Sequence, residues 1–145
     1  MAWVALLRAH AAARRRFNSD LLSGHDLTLN DYEVLLHLAH APDRRMRRVD
    51  LASDVFLTPS GITRLLAGLE RAGYVERASC DSDARVTYAQ LTDSGFEKLR
   101  EAASTHVLGI RSHFGDRFSP EELTTLGELL ARLPLEGPEA DDCVP

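Results

Sequence analysis

Lysine occurs once in this chain, at Lys98, and cysteine only twice, at Cys80 and Cys143. Two cysteines so placed supply neither a disulfide framework nor zinc-ligand spacing, and they point to a reducing compartment, the cytoplasm. Long uncharged apolar runs are missing, so no membrane-spanning helix is expected. Trp3 to Leu7 is a very short apolar run leading into alanine and arginine, which is unlike a signal peptide. Nucleophile motifs, a glycine-rich phosphate loop and a metal-ligand cluster are absent as well. An enzyme, a cofactor and a metal centre are therefore not expected.

The 145 residues amount to one domain with a single core. Their net charge of −5 is unevenly spread. Residues 1–39 hold four arginines against four acids, residues 40–90 eight against seven, and residues 91–145 five basic groups against eleven acids. The acidity thus lies in the C-terminal third. The middle of the chain is left able to meet a polyanion, since phosphate affinity depends on local cation placement.

Residues 58–95 carry the functional signal. Thr58 followed by Pro59 starts a helix, because the hydroxyl can accept from an orphan N–H and proline at the first position loses no hydrogen bond. Ile62, Leu65, Leu66 and Leu69 recur at helical spacing and form a stripe to bury. Ser60, Thr63, Arg64, Ala67 and Arg71 lie opposite. Small hydroxyls and an arginine suit a major groove, where serine and threonine bond flexibly and arginine pairs bidentately with guanine; an ordinary surface helix would share this pattern. Gly73 supplies a left-handed helix end. Tyr74 to Arg77 and Val86 to Leu91 then read as two strands of a hairpin over residues 74–91, with the turn formers Ser79 to Asp83 between them. Arg85 falls near its tip, where it could enter a narrow minor groove with Asp83 orienting the guanidinium, or where the two could form a solvated ion pair.

The order of reading helix, wing, Leu91-Thr92 and long helix resembles the MarR family of winged-helix transcription regulators. Leu51-Ala52, Ser60 with Thr63-Arg64-Leu65, Leu69-Glu70 to Gly73, Asp83-x-Arg85, and Leu91-Thr92 with Gly95 fall where that family's pattern puts them. Ala84 departs from it, at a place where many members carry a second wing arginine. The resemblance implies a mainly α fold with a small β-hairpin wing: a winged helix-turn-helix with N- and C-terminal dimerisation helices. It implies a single domain over 1–133, with the DNA-binding lobe at 28–91 and dimerisation helices at 2–22 and 92–133, followed by a tail, 134–145, expected to be disordered. It also implies a homodimer on a pseudo-palindromic duplex and a ligand-responsive repressor.

The remaining segments fit this plan. Trp3, Leu7, His10, Ala13, Phe17 and Leu21 line a first helix expected to end before Ser23-Gly24. Thr28 caps a second, which Pro42 terminates. Arg44, Arg45, Arg47 and Arg48 either contact phosphates or form a solvated loop with a short strand pairing to the wing. Leu51, Ala52, Val55 and Phe56 make the short positioning helix. Phe96, Leu99, Ala103, Val107, Ile110 and Phe114 run along the longest helix, and Ser119-Pro120-Glu121-Glu122 is a capping box opening a last helix with Leu123, Leu126, Leu129, Leu130 and Leu133 on its buried side. The DNA-contact candidates are Thr58, Pro59, Ser60, Thr63 and Arg64, with Asp83 and Arg85 in the wing and Arg47, Arg48 and Arg71 on phosphates.

For a small aromatic or anionic effector, Trp3, His10 and Arg14 offer a ring and a cation on one helix, although a packed Trp3, an interface His10 and a solvated Arg14 would look the same. His37 with His40, and His106 with His113, share helix faces and are weighed as metal ligands against ordinary surface histidines. Cys80 is weighed as an oxidisable thiol against a plain surface cysteine. A reading from another class is a winged-helix protein-interaction module without specific DNA binding. Steep salt dependence of duplex binding would exclude it.

Overall fold

The computed structural model describes residues 1–79 and 86–133. Cys80, Asp83, Ala84, Arg85 and the tail 134–145, on which several expectations fall, lie outside the described residues. Six helices and three strands follow in the order α1 (Ala2–His25), α2 (Leu29–His40), β1 (Arg45–Arg47), α3 (Arg48–Asp54), α4 (Pro59–Arg71), β2 (Val75–Ser79), β3 (Thr87–Leu91), α5 (Asp93–Gly115) and α6 (Pro120–Leu130). This is a mainly α winged helix-turn-helix fold. Among the described residues, Asn30–Glu101 makes one compact unit; Met1–Leu29 with residues 102–133 makes the other.

The Asn30–Glu101 lobe is built round the inward faces of α2, α3 and α4 and one face of the sheet. Val34, Leu35, Leu38, Leu51, Leu66 and Tyr88 are all but inaccessible to solvent, and each such aliphatic side chain contributes roughly 1.5–3 kcal/mol of burial. The sheet is antiparallel in the order β1-β3-β2. Its central strand therefore pairs Met46 with Ala89 on one side and Val75 with Leu91 on the other. The short strand expected within the arginine cluster is β1.

Where α4 gives way to β2, the chain closes a Schellman motif: Gly73 N–H donates to the Glu70 carbonyl at 3.0 Å and Tyr74 N–H to that of Leu69 at 3.0 Å. Gly73 takes φ +77°, a left-handed value that glycine alone adopts freely. Thr92 then locks α5 to this corner. Its hydroxyl donates to the Gly73 carbonyl at 2.7 Å and accepts from Gly95 N–H at 3.0 Å, and its own N–H donates to the Tyr74 carbonyl at 3.1 Å. Gly95 has to be glycine, because a Cβ there would sit directly on the Tyr74 carbonyl oxygen and 2.8 Å from Leu91 Cδ1.

In the helical unit, Phe17 and Leu21 are the buried residues of α1. The Phe17 ring meets His106 and His113 of α5 edge-on, at centroid separations of 5.3 and 5.6 Å. Gly109 keeps α5 close to them, since a Cβ at that position would approach Asp20 Oδ2 at 3.3 Å and Phe17 Cδ1 at 3.6 Å. His25 Nε2 and Thr105 Oγ1 are hydrogen-bonded at 2.7 Å. Asn18 Oδ1 accepts from Leu29 N–H at 2.9 Å.

Four expectations are corrected here. α1 continues through Ser23 and Gly24 and stops at Asp26, which adopts the left-handed cap conformation at φ 54° that aspartate tolerates better than most residues. Phe56 is no part of the positioning helix's buried face but stands outside it at 93% exposure. On α5 the buried line passes through Leu99, Ala102 and Gly109, leaving Val107 and Ile110 exposed, because small residues permit the closer helix contact. α6, although capped by the expected Ser119/Glu122 box, has no buried residue in the single chain, so its leucine stripe is uncovered. Periodicity identifies an apolar face without saying which chain covers it.

Candidate nucleic-acid interface

Thr58 Oγ1 accepts from Gly61 N–H at 3.1 Å, and Pro59 occupies the first turn, so α4 begins where its sequence predicts. Ile62, Leu66 and Leu69 are buried and Leu65 is half-buried. That stripe fixes the helix's rotation about its own axis. Thr58, Pro59, Ser60, Thr63, Arg64 and Arg71 are consequently all exposed, and the first five gather around the first turn and a half of the helix.

The hydroxyls are already partly committed. Thr63 Oγ1 donates to the Pro59 carbonyl at 2.8 Å, which leaves its lone pairs to accept from a base amino group. Ser60 Oγ lies 3.2 Å from Thr58 Oγ1. Arg64 is exposed and has no hydrogen bond or ion pair among the described residues, which leaves its five donors for a ligand. No acidic residue occurs from Val55 to Leu69 in a chain with 22 acids, so nothing along this stretch repels phosphate. Glu70, the next acid, is held by Arg77 of β2 at 3.1 Å.

The arginine cluster is less free than its sequence suggests. Arg44 lies over the Phe96 ring at 4.2 Å and pairs with Asp93 at 3.2 Å, while Arg45 stacks over Tyr88 at 5.1 Å. Arg47 is held by Asp50, Nε to Oδ2 at 2.8 Å. Arg48 is half-buried, with one terminal nitrogen buried and without a partner. These groups hold β1 and α3 in place and are less available for phosphate than Arg64 or Arg71.

Trp3, at 68% exposure, and His10 stand on the open side of α1, with Arg14 half-buried on the same line at spacings of seven and four residues. The histidine pairs have other attachments: His37 Nδ1 is 3.4 Å from Asp54 Oδ2, and His106 and His113 border Phe17. Among the described residues no three metal-ligating side chains converge. None of the described helices is long and apolar enough to cross a membrane. The exposed residue that sequence reasoning placed wrongly is Phe56, two positions before the Thr58 cap. Its apolar character matched a core pattern, and only the turn geometry turns it outward.

Comparison with known proteins agrees with the fold. The MarR family model matches residues 25–86. Sco3205 of Streptomyces coelicolor, a MarR family transcriptional regulator solved in complex with DNA, superposes with a TM-score of 0.82 at 34% identity, covering 90% of this chain and 81% of its own. AbsC, a MarR family regulator from the same organism, gives 0.80 at 36% identity, with 89% and 86% covered. The homoprotocatechuate degradative operon repressor of Escherichia coli is 28% identical over 142 residues, 98% of this chain and 93% of that protein.

Proposed function

Because the chain belongs to the MarR family of DNA-binding transcriptional regulators, we propose that it acts in the cytoplasm as a homodimeric, ligand-responsive repressor of a pseudo-palindromic operator. The observation that carries the reading is the outward face of α4: Ser60, Thr63 and Arg64, the last unpaired among the described residues, on a capped helix in a stretch from Val55 to Leu69 that holds no acid. Two such helices enter successive major grooves one helical turn apart. Ser60, Thr63 and Arg64 address bases there, with Thr58 and Pro59 at the point of entry. Arg71, and more weakly Arg47 and Arg48, serve phosphates; Asp83 and Arg85 serve a flanking minor groove.

Support for a second copy comes from the apolar surface left on the helical unit. Trp3, Leu7, Val107, Leu108, Ile110, Leu126, Leu129 and Leu130 are exposed in one chain, and a helix such as α6 with no buried residue gains little from folding by itself. The effector is a small aromatic or anionic molecule held near Trp3, His10 and Arg14; the similar Escherichia coli protein is the repressor of a homoprotocatechuate degradative operon. A ligand that binds better to the dimer with its reading helices wrongly spaced lowers DNA affinity by the same coupling energy.

The test is fluorescence anisotropy of the purified protein on its own upstream intergenic DNA and on random duplex across a salt series. Tight, steeply salt-dependent binding of one dimer to the upstream duplex is expected. Equal weak binding to both duplexes would refute specific reading and favour a protein-interaction role.

A further inference from the structure

Phe56 combines two local penalties. The residue is 93% exposed to solvent, and its backbone takes φ 55°, a conformation that glycine or asparagine adopts readily and a bulky residue does not. The turn that imposes this is pinned on every side: Val55 N–H donates to Leu51 at 3.1 Å, Phe56 N–H to Ser53 at 3.1 Å and Leu57 N–H to Ala52 at 2.8 Å. Val55 is buried and Leu57 half-buried, so the left-handed step sends both neighbours inward and the phenyl ring out. Nothing in the lobe gains from an aromatic residue here. An outlier of this kind points to a role outside the fold.

Where the ring stands suggests what meets it. It precedes the Thr58 cap of α4 by two residues, and Thr58, Ser60, Thr63 and Arg64 are exposed as it is. The carboxylate nearest in sequence, Asp54, is turned in to His37 and only 15% exposed, which removes it as a source of repulsion toward a polyanion. A phenyl group in such a place matches the apolar feature that the major groove displays, the thymine 5-methyl group. We propose that Phe56 is a specificity-determining residue of the DNA-reading face, its ring held out of the fold to contact a thymine methyl beside the bases read by α4. This rests on the regulator reading above.

The experiment replaces thymines one at a time by deoxyuridine, symmetrically in both half-sites, in the upstream duplex that the wild-type protein binds. Loss of the contacted methyl should weaken wild-type binding about fourfold per half-site, the effect of one buried methyl group. Phe56→Asn should be insensitive to that replacement, should bind the thymine duplex as the wild type binds the deoxyuridine one, and should melt at the wild-type temperature or above; Phe56→Gly should behave alike. A wild type indifferent to every replacement, a Phe56→Asn variant that keeps the wild-type ratio, or a drop in melting temperature for both variants would overturn the assignment. A wild type that binds no duplex specifically would overturn the regulator reading, and this inference with it.

Discussion

Gly95→Ala adds one methyl group and should unsettle the corner where α4, β2 and α5 meet. The new Cβ would fall on the Tyr74 carbonyl, whose oxygen accepts from Thr92 N–H at 3.1 Å, with Leu91 Cδ1 at 2.8 Å on another side. Unlike a side chain, that carbonyl cannot rotate away. Overpacking at the upper end of about 1–3 kcal/mol is therefore appropriate, with about 1 kcal/mol more if the Thr92 hydrogen bond breaks. Alanine's better helix propensity returns about 1 kcal/mol, leaving a net loss of roughly 2–3 kcal/mol. Urea denaturation at fixed protein concentration reads this as a midpoint lowered by about 1 M for a slope near 2 kcal/mol/M. Gly68→Ala is the control, since a Cβ there meets nothing closer than Arg71 Nη2 at 4.0 Å. It should stabilise by about 1 kcal/mol. If both substitutions stabilise alike, the close approach of α5 to Tyr74 is not rigid and the reasoning fails.

Removing the helix cap with Thr58→Ala should lower stability by about 1 kcal/mol, seen as a reduced melting temperature. Arg64→Ala should cost about 1–3 kcal/mol on the specific duplex and little on random DNA, by anisotropy; equal losses on both would assign the side chain to phosphate. Leu129→Asp, in the middle of the exposed α6 stripe, should shift sedimentation from dimer to monomer at micromolar concentration, and an unchanged dimer would show that α6 lies elsewhere. The Glu121 carboxyl is held below its ordinary range by a hydrogen bond to its own backbone N–H and by the Ser119 hydroxyl. A lowered folded-state value favours the native state above the ordinary value near 4.5, and the contribution is lost as pH falls through the folded one. Ser119→Ala should move the Glu121 titration upward, which carboxyl NMR would follow.

The elements that the sequence predicts well are those whose determinants are local. Thr58-Pro59, Gly73 and Ser119 to Glu122 each carry their own hydrogen-bonding reason, and the structure places all three helix signals as expected. The outward residues of α4 follow from a strong stripe on its other side. Non-local features were illegible. An isolated Phe56 looks like core until the turn's φ is known, and the rotation of α5 is set by how closely Gly109 lets it approach Phe17. The ion pair that occupies Arg44 comes from Asp93, 49 residues away, while Arg47 is taken by its near neighbour Asp50. A run of arginines therefore shows an abundance of charge but not its availability.

The fixings of α4 divide its surface by task. Its position depends on the Thr58 hydroxyl at one end, the Gly73 corner at the other and three leucine or isoleucine side chains beneath, none of which lies on the outward line of residues 60, 63, 64 and 67. Changes along that line leave the anchoring intact. On the proposed reading, a lineage could thus drift to a new operator by exchanging a few outward side chains at little thermodynamic risk, and a protein engineer could recode the same positions as a cassette. Phe56, placed before the cap, would on the same proposal be a letter of that code whose replacement by asparagine costs the fold nothing.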